Sequence, residues 1–82
     1  MTAGIEARLR ASFARQTMMA TFGAELVGVG AGVAVIRAPL APHLLQRHGA
    51  GHAALAFGLG DSAAGYAALS LMPDGAEVLT VE

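Results

Sequence analysis

The sequence contains no cysteine, no lysine and no tryptophan, and only 13% of its 82 residues are charged. The lack of cysteine excludes a disulfide scaffold, a thiol nucleophile and a cysteine-ligated zinc site. The five basic residues are scattered arginines, and six acidic residues bring the net charge to −1, so no basic patch is available to bind nucleic acid. Because 55% of the residues are hydrophobic, the composition also excludes a disordered charged tail.

The length of the chain sets the next limit. Eighty-two residues form one domain at most. A chain of this size buries only about 60–65% of its unfolded surface when it folds alone. We therefore expect either self-association or a polypeptide that is part of something longer.

Two stretches bear on targeting and membranes. The N-terminal residues carry Glu6 among arginines and lack the apolar core of a secretory signal, which predicts a cytoplasmic protein. Residues 49–72 are apolar and long enough to tempt a transmembrane interpretation, but they include His52, Asp61 and five glycines. We interpret them as a buried helix, and a small membrane-associated helical protein remains the alternative.

Hydrophobic periodicity and turn residues predict the order of elements. An amphipathic helix runs over residues 5–22 and ends at Gly23. The remaining predicted elements are strands over 24–29 and 32–38 joined as a hairpin through Gly30–Gly32, a helical turn within 41–46, a helix over 52–71, a turn at 73–75 and a strand over 76–82.

The helix over 52–71 is apolar or small on every side apart from a few polar side chains. Such a helix is one that is covered all round. Its glycines each lower helix propensity by about 1 kcal/mol relative to alanine, which close packing against a sheet or a twin helix would offset. A small sheet around one central helix fits this pattern.

Asp61 and His52 are the candidate functional residues of that helix. An ionised carboxylate within an apolar helix is costly unless it is paired, and desolvation suits it to general base or nucleophile chemistry. The alternative is a structural carboxylate, and His52 has the matching alternative of a capping residue. The two residues lie nine positions apart, about 13.5 Å along a helix axis and on opposite sides of it. They can share a site only between two chains, so if both residues are functional the protein must be at least a dimer.

Three other patterns are weaker candidates for a functional site than Asp61 and His52. His43, His48 and His52 could form a metal site, but their spacing matches no established motif. The glycines of residues 28–32 precede a strand rather than a helix, which disfavours a nucleotide site. The helix serines lack the Gly-x-Ser-x-Gly context of a hydrolase nucleophile.

A larger pattern joins three of these residues. Gln46 lies six positions before His52, Asp61 lies nine positions after it, and Ala-Gly-Tyr-Ala-Ala follows closely. In these features residues 46–82 resemble the PaaI-type thioesterases of the phenylacetate pathway, which have a hotdog fold. In that family a His-Gly-Gly motif opens the central helix, with an acid nine positions after the histidine and an Asn or Gln six positions before it. A weaker resemblance begins near residue 22.

The resemblance implies a fold and an assembly. The fold class is α+β, a hotdog with an antiparallel sheet wrapped around the long central helix 52–71. Residues 1–82 would form a single, partial hotdog domain with an N-terminal helix over 5–22 and without the family's C-terminal strands. A homodimer or homotetramer would carry the active sites at its dimer interface, with no nucleic-acid or membrane partner.

The resemblance also implies an activity. It is hydrolysis of a small aryl acyl-CoA to the acid and CoA, without a metal or prosthetic group, CoA being part of the substrate. The Ala53 N–H would stabilise the oxyanion, and Asp61 of the other subunit would act as general base or nucleophile. Gln46 would position the water or carbonyl, and His52 would orient the start of the helix.

The sequence departs from the family pattern at two points. Ala53 and Ala54 stand where the family has Gly-Gly, and the sequence ends before several further strands. These departures favour the alternative of a non-catalytic acyl-CoA-binding module. A hotdog dehydratase is a further alternative, since that class also places a histidine and an acid across a dimer.

Overall fold

The computed structural model describes residues 2–81, and its first two elements are helices. α1 (Ala3–Ala14) begins where the Thr2 hydroxyl accepts a hydrogen bond from the Ile5 N–H at 3.2 Å. α2 (Thr17–Phe22) ends at Gly23, whose φ of 66° lies in the left-handed region that glycine adopts readily. The predicted stop at Gly23 is confirmed.

The single helix predicted over residues 5–22 is wrong, because the chain breaks it in two. Gln16 separates α1 from α2 with an extended backbone, φ −82° and ψ 93°. Its side chain makes hydrogen bonds to Tyr66 and Ser62 on the last helix. A continuous amphipathic pattern could not reveal this break, since its partners lie about 50 residues further along the chain.

The predicted hairpin is confirmed within a residue or two. β1 (Glu25–Gly30) pairs antiparallel with β2 (Val33–Arg37), in a register that places Glu25 opposite Arg37 and Gly30 opposite Val33. The turn between them has Gly32 at a φ of 73°. Its N–H donates to Ser70 Oγ at 2.7 Å, which fixes the tip of the hairpin to the end of the last helix.

A short 3₁₀ helix (Pro42–Leu44) follows the hairpin and confirms the helical turn predicted within 41–46. The chain then leads to α3 (Ala53–Leu69). α3 packs across one face of β2, and the described fold is therefore a mixed α+β arrangement. The buried apolar side chains come from the helices and from β1: Leu9, Met19, Leu26, Leu44, Leu55 and Tyr66.

The expectation that the long helix is covered all round is not met within the described chain. A two-stranded sheet is narrow, and it shields only one side of α3. Phe57 is 70% exposed, and Asp61 is exposed as well. Only the face of α3 that meets the hairpin and the N-terminal helices is therefore covered.

Glycine permits one of the close approaches that the sequence predicts. A Cβ at Gly58 would lie 2.8 Å from the Phe22 ring, so α2 rests on the backbone of α3 at this point. Gly60, in contrast, has nothing within 4 Å of the corresponding position. The loss of helix propensity at Gly60 therefore has no compensating contact inside this chain.

The last segment differs from its prediction. The turn at 73–75 is confirmed, with the Ala76 N–H donating to the Pro73 carbonyl at 3.1 Å. Residues 76–81 form no strand, and Glu82 lies outside the described residues. A strand needs a partner, and neither β1 nor β2 pairs with this segment along its free edge. The segment lies along α3 instead, through contacts at Val78 and Thr80.

No helix within residues 2–81 combines the length and the apolar character that a membrane span requires.

Candidate functional site

The loop before α3 is held by its own hydrogen bonds. Leu45 and Gly51 form an isolated antiparallel bridge, and the Gln46 N–H donates to the Ala50 carbonyl at 2.8 Å. The Gln46 side-chain oxygen accepts from the His48 N–H, which closes the turn. Gln46 is thus half-buried and fixed in the loop that leads to the helix.

His52 occupies the N-cap position of α3. Its Nδ1 accepts a hydrogen bond from the Ala54 N–H at 2.9 Å, and its own N–H donates to the Leu44 carbonyl at 2.9 Å. Accepting at Nδ1 requires that this nitrogen carry no proton. The histidine therefore caps the first turn of α3, the structural alternative that the sequence left open.

Replacing His52 tests this cap. His52→Ala leaves the Ala54 N–H without its acceptor and is expected to lower the free energy of unfolding by about 1 kcal/mol. His52→Asn, which restores an N-cap acceptor, should recover most of the loss. Urea denaturation followed by circular dichroism measures both, and equal stability of the alanine and asparagine variants would contradict the capping role.

Ala53 contributes the first N–H of α3. That group has no acceptor among residues 2–81, and Ala53 is exposed. The start of a helix carries a partial positive charge because its first N–H groups point outward unpaired. The position can donate a hydrogen bond to a developing negative charge on a ligand.

Asp61 lies halfway along α3 in an open cavity of about 380 Å³. The Thr80 hydroxyl donates a hydrogen bond to its Oδ1. The cavity is lined by Ser12, Gln16, Asp61, Ser62, Gly65, Tyr66, Leu69, Glu77, Val78, Leu79 and Thr80. The expected burial of Asp61 is wrong for the single chain, because the narrow sheet leaves this side of α3 uncovered.

Sequence reasoning missed Thr80 as a partner of Asp61. The alternation of residues 76–82 was the available signal, since it places Thr80 on the same side of an extended segment as Val78. Val78 contacts α3 at Gly65, one helical turn from Asp61. An extended segment crossing the helix there brings the threonine hydroxyl to the carboxylate.

The structure does not bring His52 and Asp61 together. His52 borders a separate cavity of about 160 Å³, beside Phe22 and Leu55 at the start of α3. This agrees with the separation that the nine-residue spacing predicts along one helix. A site that uses both ends of this segment needs a second chain.

The weaker alternatives find no support in the described residues. The His43 Nε2 is 3.0 Å from the Thr21 carbonyl, and within residues 2–81 no three histidine or acidic side chains lie close enough to hold a metal ion. The glycines at 28–32 form the hairpin turn rather than a phosphate loop. Ser70 is 4% exposed and bridges the Gly32 N–H and the Ala67 carbonyl.

Sequence reasoning also missed the polar cluster at the other wall of the large cavity. The Gln16 Nε2 donates to the Tyr66 Oη at 2.7 Å, and the Ser12 Oγ lies 3.1 Å from the same oxygen. Ser62 Oγ donates to Gln16 Oε1 at 3.3 Å. Tyrosine in an apolar helix was a possible signal, because a buried phenol usually finds a hydrogen-bond partner.

Comparison with known proteins gives one informative match. No family model matches the chain, and no curated protein matches it. The chain is similar to a crystal structure of a thioesterase family protein from Silicibacter pomeroyi, with 45% sequence identity and a TM-score of 0.90. The match covers 95% of this chain and 57% of that one, so the chain spans a little over half the length of its relative.

Proposed function

We propose that this chain belongs to a hotdog-fold thioesterase of the PaaI type, which hydrolyses an acyl-CoA thioester to the acid and CoA. The similarity to a thioesterase family protein at 45% identity supports the reaction class. The observation that carries the assignment is Asp61, a carboxylate in an open cavity with the Thr80 hydroxyl bonded to it.

The thioester carbonyl lies, in this proposal, at the start of α3. When a nucleophile adds to the carbonyl carbon, negative charge develops on the oxygen. The Ala53 N–H has no acceptor in the described chain and can donate to that oxygen. The helix dipole adds to the same stabilisation. His52 and Gln46 hold the helix start and its loop in place, and Gln46 also positions the water or the carbonyl.

Asp61 supplies the second half of the chemistry. As a general base it removes a proton from water, the resulting hydroxide bonds to the carbonyl carbon, and the tetrahedral intermediate expels the CoA thiolate, which takes up the proton. As a nucleophile its oxygen bonds to the carbonyl carbon and the C–S bond breaks, which releases the CoA thiolate and leaves an anhydride; water then hydrolyses the anhydride to the acid and the free Asp61 carboxylate, and the thiolate takes up the proton released. Thr80 fixes the orientation of the carboxylate in either course. No metal or prosthetic group enters the proposed reaction, and CoA is part of the substrate.

The two halves come from different subunits in this proposal. Ala53 and Asp61 are eight residues apart on one helix, about 12 Å along its axis, which is too far for one carbonyl group to meet both. α3 also presents a small apolar face to solvent at helical spacing. Its members are Ala53, Phe57, Gly60 and Ala64, all exposed in the single chain. A second copy of α3, antiparallel to the first, would cover this face and bring the Ala53 N–H of one chain to Asp61 of the other.

Phe57→Glu tests the proposed pairing. The side chain is 70% exposed, so a charge there costs the single chain little. At a subunit interface the same charge would be desolvated. We expect light scattering to show a dimer or tetramer for the wild type and a single chain for Phe57→Glu, with thiol release lost.

A matched control uses another exposed apolar residue. Met18 is 58% exposed on α2 and is not a member of the α3 face, so Met18→Glu should keep the wild-type mass. A Phe57→Glu protein that keeps the wild-type mass would overturn the pairing through this face.

The acyl group we propose is small and aryl. The experiment that tests the function is thiol release from a panel of acyl-CoA thioesters, including phenylacetyl-CoA and ring-hydroxylated relatives. Turnover of these thioesters supports the thioesterase. Binding without turnover would favour the acyl-CoA-binding module, and hydration of an enoyl-CoA would favour the dehydratase.

A further inference from the structure

The polar cluster beside Asp61 centres on a buried phenol. Tyr66 is 3% exposed, and its ring packs against Phe13 with centroids 6.2 Å apart. Its Oη accepts a hydrogen bond from the Gln16 Nε2 at 2.7 Å and shares a second hydrogen bond with the Ser12 Oγ at 3.1 Å. These contacts fix the Gln16 side chain against the wall of the cavity.

The side chain of Gln16 does not cap the helix that it precedes. Gln16 is the N-cap residue of α2, a position where a side chain usually accepts from the first turn. Its side chain makes no such bond and reaches α3 instead. The amide of Gln16 is therefore committed to α3 rather than to the start of α2.

The amide of Gln16 is only half used by the protein. A carboxamide offers two N–H donors and two acceptor lone pairs. Tyr66 takes one donor, and Ser62 occupies one acceptor site at 3.3 Å. One donor and one acceptor site therefore remain for a molecule in the cavity.

The charges of the cavity restrict what that molecule can present. Asp61 and Glu77 both line it, and its described lining includes no basic side chain. A carboxylate or phosphate placed there would be repelled by both acids. A neutral group that donates and accepts, such as a hydroxyl or an amide, matches what the Gln16 amide still offers.

We propose that the Gln16–Tyr66 pair determines substrate specificity by hydrogen-bonding one neutral polar group of the thioester. Tyr66 holds the amide, and Gln16 makes the contact. This inference rests on the proposed function. The group belongs either to the acyl part, as a hydroxyl, or to the pantetheine arm, as an amide, and the chemistry of recognition is the same in both cases.

The test compares kcat/KM for two pairs of thioesters. The first pair is an aryl acyl-CoA with and without a ring hydroxyl, and the second is one acyl group as its CoA ester and as its ethanethiol ester, which has no amide. We expect the wild type to favour the polar member of one pair. Gln16→Met, which keeps the length of the side chain, should reduce that preference about tenfold, as loss of one hydrogen bond predicts. The pair that responds identifies the source of the group.

Two further variants guard against a structural explanation. Gln16→Glu loses the N–H that donates to Tyr66, but its carboxylate can accept from the Tyr66 hydroxyl instead, so it should fold. Because it has no donor left for the substrate, it should also show a loss of preference. Thr17→Ala, an exposed neighbour, should leave the preference and the melting temperature unchanged. An unchanged preference in both Gln16 variants, or an equal loss on every thioester, would overturn this inference while leaving the thioesterase intact. A wild type that turns over no thioester would overturn the proposed function and this inference with it.

Discussion

Asp61→Asn is expected to lower thiol release from acyl-CoA by about 100-fold or more, the scale that loss of a general base or nucleophile produces. Asparagine has nearly the shape of aspartate, and its side-chain oxygen can still accept from the Thr80 hydroxyl. The local structure should therefore persist while the carboxylate is removed. The measurement is kcat/KM for wild type and variant at the same oligomeric state.

The control for this change is another aspartate. Asp74 pairs with Arg8 at 2.8 Å, and its side chain is 90% exposed in the turn after α3. Asp74→Asn makes the same chemical substitution outside the cavity and should keep wild-type activity, since exposed ion pairs contribute little. Equal activity of wild type and Asp61→Asn would return Asp61 to the role of a structural carboxylate.

Ala53→Pro is expected to reduce kcat by about 100- to 1,000-fold, the effect of removing one donor from an oxyanion hole. Proline lacks the N–H but fits the first position of a helix, where that group has no helical acceptor. The preceding residue must be extended, and His52 already has φ −68° and ψ 141°. The substitution thus removes one hydrogen-bond donor with little change to the fold.

Ala53→Gly is the matching control, because it keeps the N–H and restores the glycine of the family pattern. It should keep or raise the activity. Circular dichroism and melting temperature should show that Ala53→Pro is folded. A folded Ala53→Pro protein with wild-type kcat would exclude the Ala53 N–H from the reaction.

The elements set by local physical chemistry were predictable from the sequence. Glycines and β-branched residues indicated the hairpin, and Gly23 indicated the end of the N-terminal helices. The start of α3 was predictable at His52 to within one residue. These features depend on turn conformation and side-chain alternation, which a single sequence displays directly.

The features that depend on distant partners were not predictable. At the break between α1 and α2, the Gln16 side chain makes hydrogen bonds to Tyr66 and Ser62. The hydrophobic pattern of residues 5–22 does not indicate these distant partners. The pairing of Thr80 with Asp61 likewise joins segments separated by a turn. Residues 76–81 likewise do not form the strand predicted over 76–82, because neither β1 nor β2 pairs with them.

Composition predicted the environment of α3 only in part. An apolar helix indicates cover on all sides, and the described chain supplies cover on one. Phe57, which is exposed, and Gly60, which has no close neighbour, lie on the side of α3 that remains uncovered. In our account a second copy of the chain covers that side, and the candidate site is complete only then.

Subunit mixing tests this central claim most directly. Asp61→Asn and Ala53→Pro are each expected to be inactive, but a mixed dimer would contain one site with both the wild-type carboxylate and the wild-type N–H. Random exchange gives mixed dimers in about half of the population, so the mixture should recover about a quarter of wild-type thiol release. Distinct affinity tags on the two variants would establish that exchange has occurred. A mixture that exchanges subunits and stays inactive would contradict a thioester site shared between two chains.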